Sequence, residues 1–167
     1  MGALRDADET ILASRWWRIE ASRAVAADPG RVWDVVGDEA GWLSWYRPLT
    51  ELEVIGEPTT GVGTVLRERE WLWRTTTEVV RRDEGSRIDL ITRSINIRGL
   101  LTKYYRSVTV VPADDGAEVT ITGAFRLGIL GWGLLPYTYP QMLGALFFEY
   151  RSALRGLEQH LAETERD

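Results

Sequence analysis

A chain of 167 residues suits one domain, and at that length folding buries about two-thirds of the surface the unfolded chain exposes, so no covalent staples are needed. There is no cysteine and a single histidine, which excludes a disulfide framework, a thiol nucleophile and a cysteine- or histidine-rich metal centre. The formal net charge is −5, from 25 acidic and 20 basic residues, a balance that argues against nucleic acid as the main partner.

Residues 1–15 include acidic side chains but no long apolar run, so they read as a tail and not as a secretory leader, and a cytoplasmic location is expected. Trp17–Val25 reads as a strand with Ile19, Ala21 and Val25 on one face. Asp28-Pro29 opens a helix, since aspartate caps and proline is tolerated in the first turn; Val32, Trp33 and Val36 give it an apolar face and Gly37 ends it. Asp38 then opens a second short helix carrying Trp42 and Trp45 three residues apart.

Strands are expected at Leu52–Ile55, Val62–Glu70, Trp73–Arg81, Arg87–Ile95, Tyr104–Val111 and Glu118–Phe125. Asp83–Ser86 and Asp115-Gly116 supply hairpin turns between the last two pairs. The closing element is a helix from about Pro140 to Ala162, with Leu143, Leu146, Phe147, Tyr150, Leu154, Leu157 and Leu161 at three- and four-residue steps. Leu127–Phe148 carries no charge and approaches the length of a membrane span, but Pro136, Pro140 and four glycines would break such a helix. No transmembrane segment is expected, and the apolar 130–136 loop becomes a candidate for contact with a partner or a membrane surface. Strands followed by a covering helix define an α+β fold, not a parallel α/β sheet.

The stretch Val25-Ala26-Ala27-Asp28-Pro29-Gly30-Arg31-Val32-Trp33-Asp34-Val35-Val36 resembles the START-like helix-grip superfamily, and within it the polyketide cyclase/dehydrase branch. Asp38 with Trp42 and Trp45, Gly61-Val62-Gly63-Thr64 and the amphipathic closing helix continue the resemblance, which covers residues 16–164 as one ligand-binding domain. It implies a curved seven-stranded antiparallel sheet wrapped around the long C-terminal helix, with two short helices after the first strand and an apolar cavity between sheet and helix. Members include polyketide cyclases as well as lipid, isoprenoid and hormone binders, so the fold alone does not give a reaction. An arginine in the region of Arg67 and Arg69 is functional in some of the cyclases. The tyrosine those enzymes use after the second helix has no clear match here: Leu49 falls near that place and Tyr46 lies a turn earlier.

Strand alternation selects the cavity-facing side chains. A two-residue Asp115-Gly116 turn would set Val110 opposite Ile121, Val108 opposite Gly123 and Arg106 opposite Phe125, placing Tyr104, Arg106, Val108 and Phe125 inside. Across Asp83–Ser86, Leu90 would face Val79, Thr92 would face Thr77 and Ser94 would face Thr75, with Trp73 following on the same side. Trp42, Trp45, Tyr46, Met142, Leu146, Phe147, Glu149 and Tyr150 complete the expected ligand-binding set. Arg106 and Tyr104 are the candidate catalytic pair: a buried arginine either pairs internally, for instance with Glu149, or grips an anion or stabilises an enolate, and Tyr104 either donates to a carbonyl or packs. The run Arg67-Glu68-Arg69-Glu70 reads as a solvated edge of alternating charge.

His160 reads as an exposed helix residue with no triad around it, and Gly61-Val62-Gly63 lacks the third glycine and following helix of a dinucleotide site. No cofactor or metal is expected. Chemistry, if present, would use tyrosine, arginine, carboxylates or water for proton transfer, cyclisation or dehydration. The expectation is therefore a protein that binds a small apolar or polyketide-like molecule and either promotes its cyclisation or dehydration, or carries or senses a lipid, isoprenoid or aromatic metabolite without converting it.

Overall fold

The computed structural model describes residues 18–70, 73–95, 101–127 and 135–165. The expected tail, the start of the first strand at Trp17, the break after Glu70 and most of the 130–136 loop lie outside the described residues.

β1 (Arg18–Val25) is followed by α1 (Pro29–Val36) and a 3-10 helix (Glu39–Ser44). Asp28 caps α1, its carboxylate accepting from the amides of Gly30 at 2.9 Å and Arg31 at 3.4 Å. Next come β2 (Leu49–Ile55), β3 (Val65–Glu70), β4 (Trp73–Asp83), β5 (Arg87–Ile95), β6 (Leu101–Ala113) and β7 (Gly116–Leu127), and the helix α2 (Leu135–Thr164) closes the chain. β2 starts earlier than expected. β3 starts later, because Gly61 and Gly63 hold φ of +84° and +96° in a turn that ends at the buried Thr64. α2 also starts earlier than expected; Pro140 stands in its second turn, where it removes one amide donor and leaves the rest of the helix intact.

The strands form one antiparallel sheet in the order β1-β7-β6-β5-β4-β3-β2. At the β6–β7 hairpin the observed pairs are Val110–Val119, Val108–Ile121, Arg106–Gly123 and Tyr104–Phe125. The expected register is thus wrong by two residues. Ala113 pairs with Gly116, so Asp114 and Asp115 make the turn, and Gly116 (φ +140°) lies where a Cβ would press on the amide of Ala27 at 2.9 Å. A two-residue slip preserves the face, so Tyr104, Arg106, Val108 and Val110 still point inward. At the β4–β5 hairpin Val79–Leu90 and Thr77–Thr92 pair as expected, but a bulge between Thr76 and Thr77 sets Thr75 opposite Ile95 and Thr76 opposite Ser94.

The core lies between the inner face of the sheet and one stripe of α2. Tyr150, Ala153, Leu154, Leu157 and Leu161 are buried against Ile19, Ala21, Val119, Ile121 and their neighbours. Trp42, Trp45 and Tyr46 plug one end as a cluster of edge-on and stacked rings with centroids 5.4–6.1 Å apart. Arg82 on β4 ties the 3-10 helix to the sheet, donating to the buried Glu39 at 2.7 Å and to the carbonyl of Gly37 at 2.7 Å. No described helix is long and apolar enough to cross a membrane.

Candidate functional site

Alternation along β3 sorts its charges. Arg67 and Arg69 turn outward to Glu53 and Glu51 on β2, while Glu68 and Glu70 turn inward and are buried. The arginines are solvated as expected, but the glutamates are not, and β3 is no edge strand because β2 lies outside it. The two carboxylates meet Arg106 of β6, which donates through Nη2 to Glu68 at 2.5 Å and through Nη1 to Glu70 at 3.0 Å and the Tyr46 hydroxyl at 3.4 Å. The guanidinium carbon sits 5.1 Å from the ring centres of both Trp42 and Tyr46, which stack on each other, so one side of it meets a pair of π-systems while its nitrogens meet carboxylates. The second oxygen of Glu68 accepts from Thr75 at 3.2 Å and Thr77 at 2.9 Å. The carboxylate partners of Arg106 are therefore on β3, and Glu149 is not one of them. That residue, on α2, instead accepts from the Tyr46 hydroxyl at 3.0 Å. The hydroxyls of Tyr104 and Tyr150 share a short hydrogen bond.

Removal from water dominates the electrostatics. Burial pushes the Glu149 carboxyl up to about 7, against the pull of Arg106 and the Tyr46 hydrogen bond. Burial and the neighbouring Glu149 lift Glu70 well above the usual carboxylate range, with Arg106 opposing. Burial also raises Tyr46, Tyr104 and Tyr150. For Arg106, burial disfavours the charge, but Glu68, Tyr46 and Glu70 outweigh it and the guanidinium stays firmly protonated.

Beside this network lies a small cavity of about 40 Å³ lined by Glu70, Trp73, Thr75, Tyr104, Met142, Ala145, Leu146 and Glu149. A larger groove of about 440 Å³ shares Glu70, Trp73, Ala145 and Glu149 with it and adds Arg47, Pro48, Phe148, Arg151, Ser152 and Arg155. Of the residues expected to bind ligand, Trp73, Thr75, Tyr104, Met142, Leu146 and Glu149 line the small cavity. Trp42, Trp45, Tyr46, Leu90, Val108, Phe125 and Tyr150 are buried in the core around it. Thr77 and Thr92 share a 3.5 Å hydroxyl contact beneath Glu68. Phe147 is a correction: it is 39% exposed with the Arg151 guanidinium 5.3 Å above its ring, because the buried stripe of α2 steps from Leu154 through Tyr150 to Leu146 and passes it by. Arg106 is not among the lining residues; it stands behind Glu70. Sequence reasoning missed Glu68, Glu70 and Arg47, although the parity that sends Arg67 and Arg69 outward also sends the glutamates inward. No group of acidic or histidine side chains among the described residues is arranged to hold a metal.

The solved structures similar to this chain share the helix-grip architecture. A START superfamily protein from Mycobacterium smegmatis superposes with a TM-score of 0.72 at 13% identity, covering 89% of this chain and 99% of that one. A protein from Nitrosospira multiformis gives 0.72 at 16% identity over 90% and 99%. A protein from Thermus thermophilus gives 0.67 at 22% identity over 88% and 98%. No curated protein matches the sequence. The fold is thus the START-like α+β helix grip, an open antiparallel sheet closed by a C-terminal helix. Residues 17–162 match the model of the polyketide cyclase / dehydrase and lipid transport family, and the chain belongs to that family.

Proposed function

We propose that the protein binds a small, mainly apolar molecule carrying a carbonyl or hydroxyl group, beneath the first half of α2. The observation that carries this reading is the apolar wall of Trp73, Met142, Ala145 and Leu146 leading to Tyr104, Glu70 and Glu149. The adjoining groove of about 440 Å³ falls within the ~300–1,000 Å³ that small-molecule sites occupy. Three carboxyls, Glu68, Glu70 and Glu149, face one guanidinium, and burial makes at least one of them keep its proton near neutrality. A protonated carboxyl beside the cavity donates to a ligand oxygen and is the group a cyclisation or dehydration needs as acid. Arg106 acts through Glu70 as a positioning residue, and Tyr104 meets the ligand directly.

A carrier that converts nothing is the second reading. It is favoured by the mutual bond of Tyr104 and Tyr150 and by the Tyr46–Glu149 bond, which leave few polar groups free for chemistry. Native mass spectrometry of the purified protein, followed by extraction, tests the shared premise: a recurring small molecule is expected, and Ala145→Trp should abolish it. Incubating that molecule with emptied protein separates the readings. Conversion lost in Glu149→Gln supports the acid, whereas recovery of the molecule unchanged supports the carrier. Failure of wild type to retain any apolar molecule, native or added, overturns both.

A further inference from the structure

We infer that the ligand of this groove is an anionic amphiphile whose carboxylate or phosphate head is held at the mouth by Arg47, Arg151 and Arg155. The inference rests on the groove being a ligand site. All three arginines line the groove of about 440 Å³, beside Trp73 and Phe148. Two local features bring them together. Arg151 and Arg155 are four apart on α2 and so share a face. Arg47 is laid across the helix because the Trp45–Arg47 segment crosses it at Gly156, where a Cβ would overlap the carbonyl of Trp45 and approach Arg47 Cγ to 2.8 Å. Only glycine permits that crossing.

Charge pairing singles the cluster out. Elsewhere Arg23, Arg31, Arg67, Arg69, Arg81, Arg82 and Arg87 each bond a carboxylate. Among the described residues, Arg47, Arg151 and Arg155 bond none, in a protein whose net charge is −5; Arg151 lies instead over the Phe147 ring. Two like charges at that helical spacing repel, so an anion between them relieves a cost as well as making new bonds. The groove's own acids do not satisfy them: Glu70 is engaged by Arg106, and Glu149 accepts from Tyr46 and is held partly neutral by burial. An alkyl or aromatic body would run from this mouth along Trp73 towards Met142 and Leu146.

The test titrates wild type with decanoate, decyl phosphate and decanol, followed by tryptophan fluorescence. At least one anion is expected to bind about tenfold or more tighter than decanol, the scale of one charge-assisted contact. The stronger anion identifies the head as carboxylate or phosphate. The Arg47→Gln/Arg155→Gln protein, its fold checked by circular dichroism, should lose that preference and bind decanol as before. Decanol binding as tightly as both anions, or a preference that survives the double variant, overturns the inference while leaving the groove a ligand site. Anion binding that persists in Ala145→Trp shows surface charge alone and also overturns it. Failure of all three probes to bind wild type overturns the groove reading as well.

Discussion

Replacing Arg106 by methionine tests what holds the buried end of the sheet. Arg106 and Glu68 are each 2% exposed, so the substitution leaves Glu68 in the interior with two threonine hydroxyls and no cation. Breaking a buried ion pair in this way costs about 3–5 kcal/mol, because one charge is left in the interior without its partner. Glu70 adds less, because burial already holds its carboxyl high. Methionine fills much of the volume of the arginine stem beside the stacked Trp42 and Tyr46 rings, so the lost ring contacts form a smaller part. Urea unfolding monitored by tryptophan fluorescence should show a deficit against wild type near ~4 kcal/mol at pH 7. Adding Glu68→Gln should recover most of the loss at pH 7. A variant as stable as wild type at pH 7, or a loss that Glu68→Gln fails to recover, would refute the argument that the guanidinium exists to neutralise Glu68.

Glu149 gives the protein a pH dependence of its own. Its folded value of about 7 lies above the ordinary 4.5, so the folded state holds the extra proton and stability falls as pH rises through that window. Glu149→Gln should remove up to about 3 kcal/mol of that fall and be the more stable protein above pH 7, as read from denaturation midpoints between pH 5 and 8. Gly123→Ala should cost about 1–3 kcal/mol in thermal unfolding, because the new methyl would overlap the Tyr150 hydroxyl and lie 2.9 Å from its Cζ; Tyr150→Phe in the same background should return part of it. Asp28→Ala removes the cap of α1 and should lower stability by about 1 kcal/mol in urea.

The order of elements was legible because each boundary carries its own chemistry: Asp28-Pro29 at a helix start, Asp83–Ser86 at a hairpin, and leucines at helical steps along α2. The facing of β6 was legible for a reason that also hid its register. Side-chain direction repeats every two residues, so Arg106 is sent inward whether it stands opposite Phe125 or, as found, Gly123. Which residues Arg106 meets was not legible, since Glu68 and Glu70 lie 38 and 36 residues away and reach it through the curvature of the intervening strands. The inward glutamates were within reach of the sequence, had parity been applied to Arg67-Glu68-Arg69-Glu70 as it was to β7. The arginine mouth was not, because it depends on how closely the Trp45–Arg47 segment can cross a glycine on a helix more than a hundred residues later.

The strand order has a consequence for how the chain reaches this state. β2 to β7 run as neighbours in sequence and can zip up one after another as they are synthesised. β1, the first to emerge, sits against β7, with Arg18 beside Ala124 and Val25 beside Ala117. Its backbone must wait for residues 117–124, about three-quarters of the way along the chain, before it finds its hydrogen-bond partner, and that closure carries a large loop entropy. Until then the β7 edge and the inner face meant for α2 stay open together. The ligand cavity, lined from β3, β4, β6 and α2, is complete only once α2 has closed on that face, and a molecule that fills the groove would hold that closure shut.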